Sequence, residues 1–301
     1  MTMAERAPIT PAELALLDMG LLHGCTRLAP GLYQGPGRAR RANLAAFRDS
    51  EGVGLNERAK LEFSTAHFET PLYECAVAKA LEAMPAGPVL ELGAGDGRIT
   101  RMLLSRWTGP VLACDCNLPA LQRLRAGLPE AERNRLVILC EGIEDLPLPP
   151  ATLAGVVAIE VLYYLGAGFE AALARLAAAL VPGGRMVHAE PTLEGWLLYC
   201  LAVDDWDGAL AAACQGKVER AYRGFTPEEM RTLYAGCGLA LLETSRTPLM
   251  NILLVNRLLR SSLPEIRRQE LLRTIRSAAG ICQTPRCVIY TAGRAGKEQQ
   301  A

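Results

Sequence analysis

The stretch Val89–Arg98, reading VLELGAGDGR, restricts what this 301-residue chain can fold into more than any other part of it. Val89 to Leu92 read as a short apolar strand. Gly93, Gly95 and Gly97 then fall at every second position, and a helical pattern starts at Ile99 and continues through Met102, Leu103 and Leu104. Glycine there permits left-handed dihedrals and lets a ligand approach the main chain. The first amides of the helix have no intrahelical partner and are open to that ligand. Tight turns also need glycine for purely structural reasons, so the context matters. A second strand, Val111 to Cys114, runs into Asp115, where a carboxylate can accept hydrogen bonds from ribose hydroxyls. Strand, glycine turn, helix and terminal acid together point to a site for a nucleoside cofactor.

Strands and helices alternate from Pro88 onward, which argues for a mainly parallel sheet covered on both faces. Further strands are read at Arg135–Cys140, Val156–Ile159, Met186–Ala189, Leu239–Thr244 and Cys287–Thr291. With the first two, this gives a doubly wound α/β sheet of seven strands, mostly parallel. Helices are expected at Gly168–Leu180 and, more ambiguously, from Thr192 to Glu219. Thr226-Pro227-Glu228-Glu229 reads as an N-cap, a first-turn proline and acids at the positive end of a helix. Residues 1–85 show helical periodicity and no strand pattern, and are expected to form a cap. Residues 86–301 are the sheet domain, interrupted by a helical insertion at about 248–279 before the last strand. Cap and insertion would roof the carboxyl ends of the strands and close over a small acceptor. The alternative is that one or both form a homodimer interface.

Lys plus Arg and Asp plus Glu number 32 each, so the formal charge is zero. That offers no electrostatic case for a nucleic-acid partner. The ten cysteines and three histidines show no metal-ligand spacing, and reduced thiols in a cytoplasmic protein are expected. No membrane span or leader is read. The acids Asp204, Asp205 and Asp207 read as a solvated helix end and not as a metal site.

The ordered set of motifs resembles the class I S-adenosylmethionine-dependent methyltransferases over about residues 88–245 and the final strand. The resemblance implies a Rossmann-like methyltransferase fold, S-adenosylmethionine as cofactor, and cofactor contacts from Glu91, Gly93, Ala94, Gly95, Asp115 and the adjacent Cys116. Gly142 and Ile143, in the segment Cys140–Pro147, correspond to the part that receives adenine. The acid usual in that part is replaced by Gly142, with Glu141 beside it. Glu160, opening the segment Glu160–Leu165 after the fourth strand, is implied near the cofactor. Gly155 stands where that strand usually opens on an acid, and Leu180–Gly184 matches the turn before the fifth strand. The competing reading, a nicotinamide-binding domain, places two residues before its third glycine, whereas here the spacing is one.

Transfer from a sulfonium asks the protein mainly for alignment and for a place to put a proton. Glu190, at the carboxyl end of the fifth strand, is the leading polar candidate. His188 lies two residues earlier on the same face. Tyr73 and His67, on the segment leading into the sheet domain, are candidates to close over the reacting group. Trp196 and Tyr199, three apart, can wall a pocket. The expected function is methyl transfer to a small-molecule acceptor by in-line displacement, with oxygen, nitrogen or carbon as acceptor left open. The alternatives are cyclisation or alkyl transfer on the same fold, or methylation of a protein or tRNA.

Overall fold

The computed structural model describes residues 8–37, 69–202, 204–218, 222–248 and 285–295, with 264, 266, 267 and 270. Residues 38–68, with His67 among them, and nearly all of the expected insertion lie outside the described residues. In chain order the described elements are α1 (Pro11–Asp18), β1 (Thr26–Ala29), β2 (Leu32–Gln34), α2 (Thr70–Leu81), β3 (Val89–Leu92), α3 (Arg98–Arg106), β4 (Val111–Asp115), α4 (Leu118–Ala126) and α5 (Glu130–Arg133). They continue with β5 (Leu136–Cys140), β6 (Leu153–Ile159), α6 (Phe169–Ala179), β7 (Leu180–Pro191), α7 (Leu193–Ala202), α8 (Trp206–Gln215), β8 (Lys217–Val218), β9 (Tyr222–Arg223), α9 (Pro227–Gly236), β10 (Leu239–Pro248) and β11 (Pro285–Arg294).

Nine strands form the main sheet, in the order β1-β2-β5-β4-β3-β6-β7-β11-β10, and β8 and β9 make a separate ribbon. Pairings from β2 through β7 are parallel, while β1–β2, β7–β11 and β11–β10 are antiparallel. The expected count of seven is therefore two short, because residues 1–85 contribute a hairpin as well as helix. Its strands hold four and three residues, too few for alternation to be legible. The pair Ala29–Leu32 closes a two-residue turn at Pro30-Gly31, with Gly31 at φ +70°. Proline followed by left-handed glycine is the chemistry of a type II turn. Between Thr192 and Glu219 the expected helix proves to be two helices, α7 and α8, followed by β8.

Alternation along the strands builds two cores. Leu90, Leu92, Leu112, Cys114, Val156 and Met186 face α1, α6 and α9, meeting Leu16, Phe169, Leu173 and Tyr234. Val89, Val111, Ala113, Val157 and Val187 face α2, α3 and α4, meeting Tyr73, Val77, Leu103 and Leu121. Gly155, which stands where the resembling family usually has an acid, lies under Met84: a Cβ there would lie 2.4 Å from Met84 Sδ, so a side chain at this position would have to displace the end of Met84. Pro71 sits in the first turn of α2, and Thr226 and Glu229 form a capping box on α9. No helix among the described residues is long and apolar enough to cross a membrane.

Candidate functional site at the carboxyl edge of the sheet

Gly93, Gly95 and Gly97 take φ values of +71°, +50° and +86°. These are backbone states that other L-residues rarely adopt. A Cβ on Gly93 would come within 2.2 Å of Val161 Cγ2, so the turn and the loop after β6 touch. Gly97 is the N-cap of α3 and has no side chain to cap it, while the Thr100 amide in the first turn donates to the Glu91 carboxylate. The turn is tied to β4 from below. Ala94 N–H donates to Cys114 O at 3.1 Å, and Gly95 N–H donates to Asp115 Oδ2 at 2.9 Å. Asp115 Oδ1 accepts from Asn117 N–H at 2.8 Å. Burial pushes the Asp115 carboxyl upward, and these two amides oppose the shift without cancelling it.

Glu91 points from β3 into the α2–α4 side, where Thr100 Oγ1 donates to its Oε2 at 2.6 Å. Burial raises its pKa to about 7, with the Thr100 bond and the Arg98 charge opposing. Cys116 is half-buried, and burial moves its thiol up to about 12, so it stays protonated and unreactive at neutral pH. At the next strand end, Glu141 accepts from Gly142 N–H at 2.8 Å and from Gly37 N–H at 2.7 Å. Its carboxylate thus faces the turn that follows the N-terminal hairpin. Ile143 starts a short 3₁₀ turn reaching Asp145. A Cβ on Gly35 or Gly37 would strike Glu141 or Asp145, so the hairpin's exit is seated directly on this loop.

Beyond β6, Glu160 is a non-glycine residue at φ +57°. Tyr73, fully buried on α2, donates its hydroxyl to Glu160 Oε1 at 2.9 Å. The ring of Tyr73 also lies 5.6 Å from Arg98 Cζ, and Arg98 donates to Thr70 Oγ1 at 3.2 Å. Sequence reading passed over Arg98, because an arginine at the start of a helix has no motif. It also passed over Glu69, which precedes α2 and reads only as a helix-start acid. Glu69, Glu160 and Cys287 each bring one donor atom within 4.8 Å of the others. Only the fold joins these three distant positions.

His188 and Glu190 do share a face, but both are enclosed, at 0% and 2% exposure. His188 Nδ1 is 2.9 Å from Glu190 Oε1, and its Nε2 bonds the Tyr234 hydroxyl. Tyr290 stacks on the imidazole at 5.3 Å. Trp196 and Tyr199 stack at 5.6 Å on α7, and the indole N–H finds no acceptor among the described residues. Asp205 is the N-cap of α8, accepting from Gly208 N–H at 3.1 Å, which gives the acid cluster a capping task.

Residues 89–184 match the family model described as a methyltransferase domain. No curated protein sequence matches the chain. Among solved structures, one similar fold is phosphoethanolamine N-methyltransferase 2 of Haemonchus contortus. It is 14% identical, with a TM-score of 0.57, 85% of this chain covered and 60% of that one. This chain thus spans less than two thirds of that protein. Another is a geranyl diphosphate methyltransferase in complex with its methyl donor, at 17% identity and TM-score 0.53, covering 87% of this chain and 97% of that one. A third is the cyclase SpnF, at 12% identity and TM-score 0.52, covering 75% and 82%. At these identities the likeness is one of fold.

Proposed function

We propose, from the premise that residues 89–184 are a class I S-adenosylmethionine-dependent methyltransferase domain, that this chain transfers a methyl group to a small-molecule acceptor. The observation that carries the reading is the Gly95–Asp115 clamp. It holds a left-handed glycine turn and an ionisable carboxylate side by side at the carboxyl edge of a parallel sheet. The residues fit the cofactor. Two amides and the Cys116 thiol already occupy Asp115, but a carboxylate accepts about four bonds, which leaves capacity for a ribose hydroxyl. The left-handed main chain of the turn, with no side chain on Gly93, Gly95 or Gly97, suits the amino-acid end. Ala94, Glu91 and Cys116 frame that crevice, and Gly142 and Ile143 offer backbone to the base where Glu141 is otherwise engaged.

When bound, S-adenosylmethionine supplies the methyl group, which an acceptor nucleophile displaces in line. This chain's own task is to align the acceptor and receive its proton. Glu160 is half-buried, and Tyr73 holds its carboxylate in one orientation. In this reading Glu160 takes the proton, and the Tyr73 hydroxyl fixes the orientation of its carboxylate. Tyr73→Phe is expected to lower turnover by about tenfold or more, within the usual span of general acid–base effects. Steady-state rates at saturating donor check it, and an unchanged rate would leave Tyr73 a packing residue.

Calorimetry with S-adenosylmethionine, followed by incubation with a methyl-labelled donor, tests the function itself. Saturable binding and label in the small-molecule fraction, with S-adenosylhomocysteine as coproduct, are expected. Label in protein or tRNA would move the acceptor class. An acceptor converted without consumption of the donor would assign the chain to non-methyl chemistry.

A further inference from the structure

The transfer reading leaves unused a polar group sealed in the core. Tyr234, His188 and Glu190 form a continuous chain from α9 through β7, exposed by 1%, 0% and 2%. Burying three hydrogen-bonding side chains in an otherwise apolar core is costly unless each is satisfied. Proton count sets the direction of the chain. Burial, with the nearby Tyr290 and the Glu190 carboxylate, pushes the Tyr234 hydroxyl well above its ordinary range, so it keeps its proton, and with a Glu190 carboxylate accepting at Nδ1 that proton is donated to Nε2. His188 then carries its proton on Nδ1 and donates it to Glu190 Oε1.

The chain does not end at Glu190. Its other oxygen, Oε2, accepts from the backbone N–H of Tyr163 at 3.0 Å. Three residues earlier, Glu160 N–H donates to Ala189 O at 2.9 Å. The loop after β6 is therefore pegged to β7 at two points, one of them a side chain. Between the pegs, Val161 closes on Gly93, and Glu160 holds its left-handed backbone. Such a backbone state persists only where the surroundings over-determine it.

We propose that Glu190, oriented by His188 and Tyr234, is a positioning residue: it fixes the loop Glu160–Leu165 against the glycine turn and so sets where the Glu160 carboxylate meets the acceptor. The proposal rests on the reading of this edge as the transfer site. It replaces a proton-carrying role for Glu190 and His188 with a structural one acting through Glu160. Neither enclosed side chain needs to reach a reacting atom for its loss to matter, since a misplacement of about 1 Å costs on the order of a hundredfold in rate.

Two substitutions separate the roles. Glu190→Leu keeps the volume and removes both acceptors. Glu190→Gln keeps one acceptor for the Tyr163 N–H and turns its amide toward His188. To accept from it, the imidazole must move its proton to Nε2, and the Tyr234 oxygen must become the acceptor. The measurements are amide exchange at Tyr163, the His188 tautomer by nitrogen NMR, and kcat with acceptor KM. Glu190→Leu is expected to expose the Tyr163 amide and lower kcat/KM by about a hundredfold. Glu190→Gln is expected to keep Tyr163 protected, show the Nε2–H tautomer and restore kcat/KM to within a few-fold. A Glu190→Gln enzyme with Tyr163 protected and kcat lost would overturn the proposal and make Glu190 a proton carrier. Full activity in Glu190→Leu with an unprotected Tyr163 would overturn it as well. If Glu190→Leu does not fold, the Glu190→Gln tautomer, exchange and rate decide alone. Tautomer and exchange need no turnover, so a failure of the transfer reading leaves them intact and distinguishable.

Discussion

Replacing Glu13 by Ala is expected to detach the N-terminal hairpin from the sheet, at about 3–5 kcal/mol, the range for removing one partner of a buried, hydrogen-bonded ion pair. Glu13 is fully buried on α1 and gathers the whole segment. Its Oε1 accepts from Arg27 Nε, Gly31 N–H and Tyr33 Oη, each at 2.9 Å. Its Oε2 accepts from Thr10 N–H at 2.8 Å and Arg27 Nη2 at 3.2 Å. One side chain thus serves the helix N-cap, the hairpin turn and both strands. Removing it leaves a turn amide without its acceptor and deprives the Arg27 guanidinium of its carboxylate, in a site shaped for an anion. Hydrogen exchange in β2 should rise far more than in β3 or β6, since β2 lies next to the edge strand β1 and joins the rest of the sheet through β5.

The pH dependence follows from the direction of the Glu13 shift. Burial pushes its pKa up, but the amides of Thr10 and Gly31, then Arg27 and Tyr33, outweigh burial and leave it below the ordinary 4.5. Its contribution is therefore complete above that ordinary value and is lost as pH falls through the folded-state value. The hairpin should loosen in acid while the Glu13→Ala protein shows no such step. Exchange of the β2 amides as a function of pH checks this. A pH-independent difference between the two proteins would mean that the carboxylate's charge is not what holds the segment. Looseness there reaches the candidate site, because Gly37 N–H is held by Glu141 at the end of β5.

The parallel core was legible because its strands are mostly apolar runs bounded by turn residues, as in Leu136–Cys140 between Asn134 and Gly142. The conformation of the glycine turn was legible for a different reason: few residue types permit its left-handed backbone. The hairpin was missed because its signal is a two-residue Pro-Gly turn between strands too short to show a period. Glu13 was missed because a lone acid on a helix normally faces water, and its partners at Arg27, Gly31 and Tyr33 are far along the chain. His188 and Glu190 were placed correctly on one face, but a strand pattern cannot tell a face lining a pocket from one sealed beneath α9. That depends on Tyr234 and Tyr290, which the fold alone brings to the imidazole.

Asp115→Asn is expected to weaken S-adenosylmethionine binding by about 3 kcal/mol, the upper part of the range for a lost charge-assisted bond. The carboxylate presents acceptors in both directions, to Gly95 N–H on one side and Asn117 N–H on the other. Asparagine keeps one of these. Its amide group must face the remaining N–H, donor against donor, so one tether is replaced by repulsion. If the Gly95 tether fails, the left-handed turn loses its hold on β4 and the main chain is no longer presented to the cofactor. If the Asn117 tether fails, the start of α4 moves instead, and the ribose still loses the negative charge. Both routes act on affinity, while the strands on either side, with Cys114 and Ala113 fully packed, preserve the fold. The Asp115 pKa is raised by burial, and ribose binding requires the ionised form, so wild-type affinity should rise with pH through that raised value and then level. The Asp115→Asn protein should be weak throughout and flat across the same interval. Isothermal titration at several pH values, with thermal melting as the fold control, reads both effects. Equal affinities in two well-folded proteins would remove Asp115 from the cofactor site.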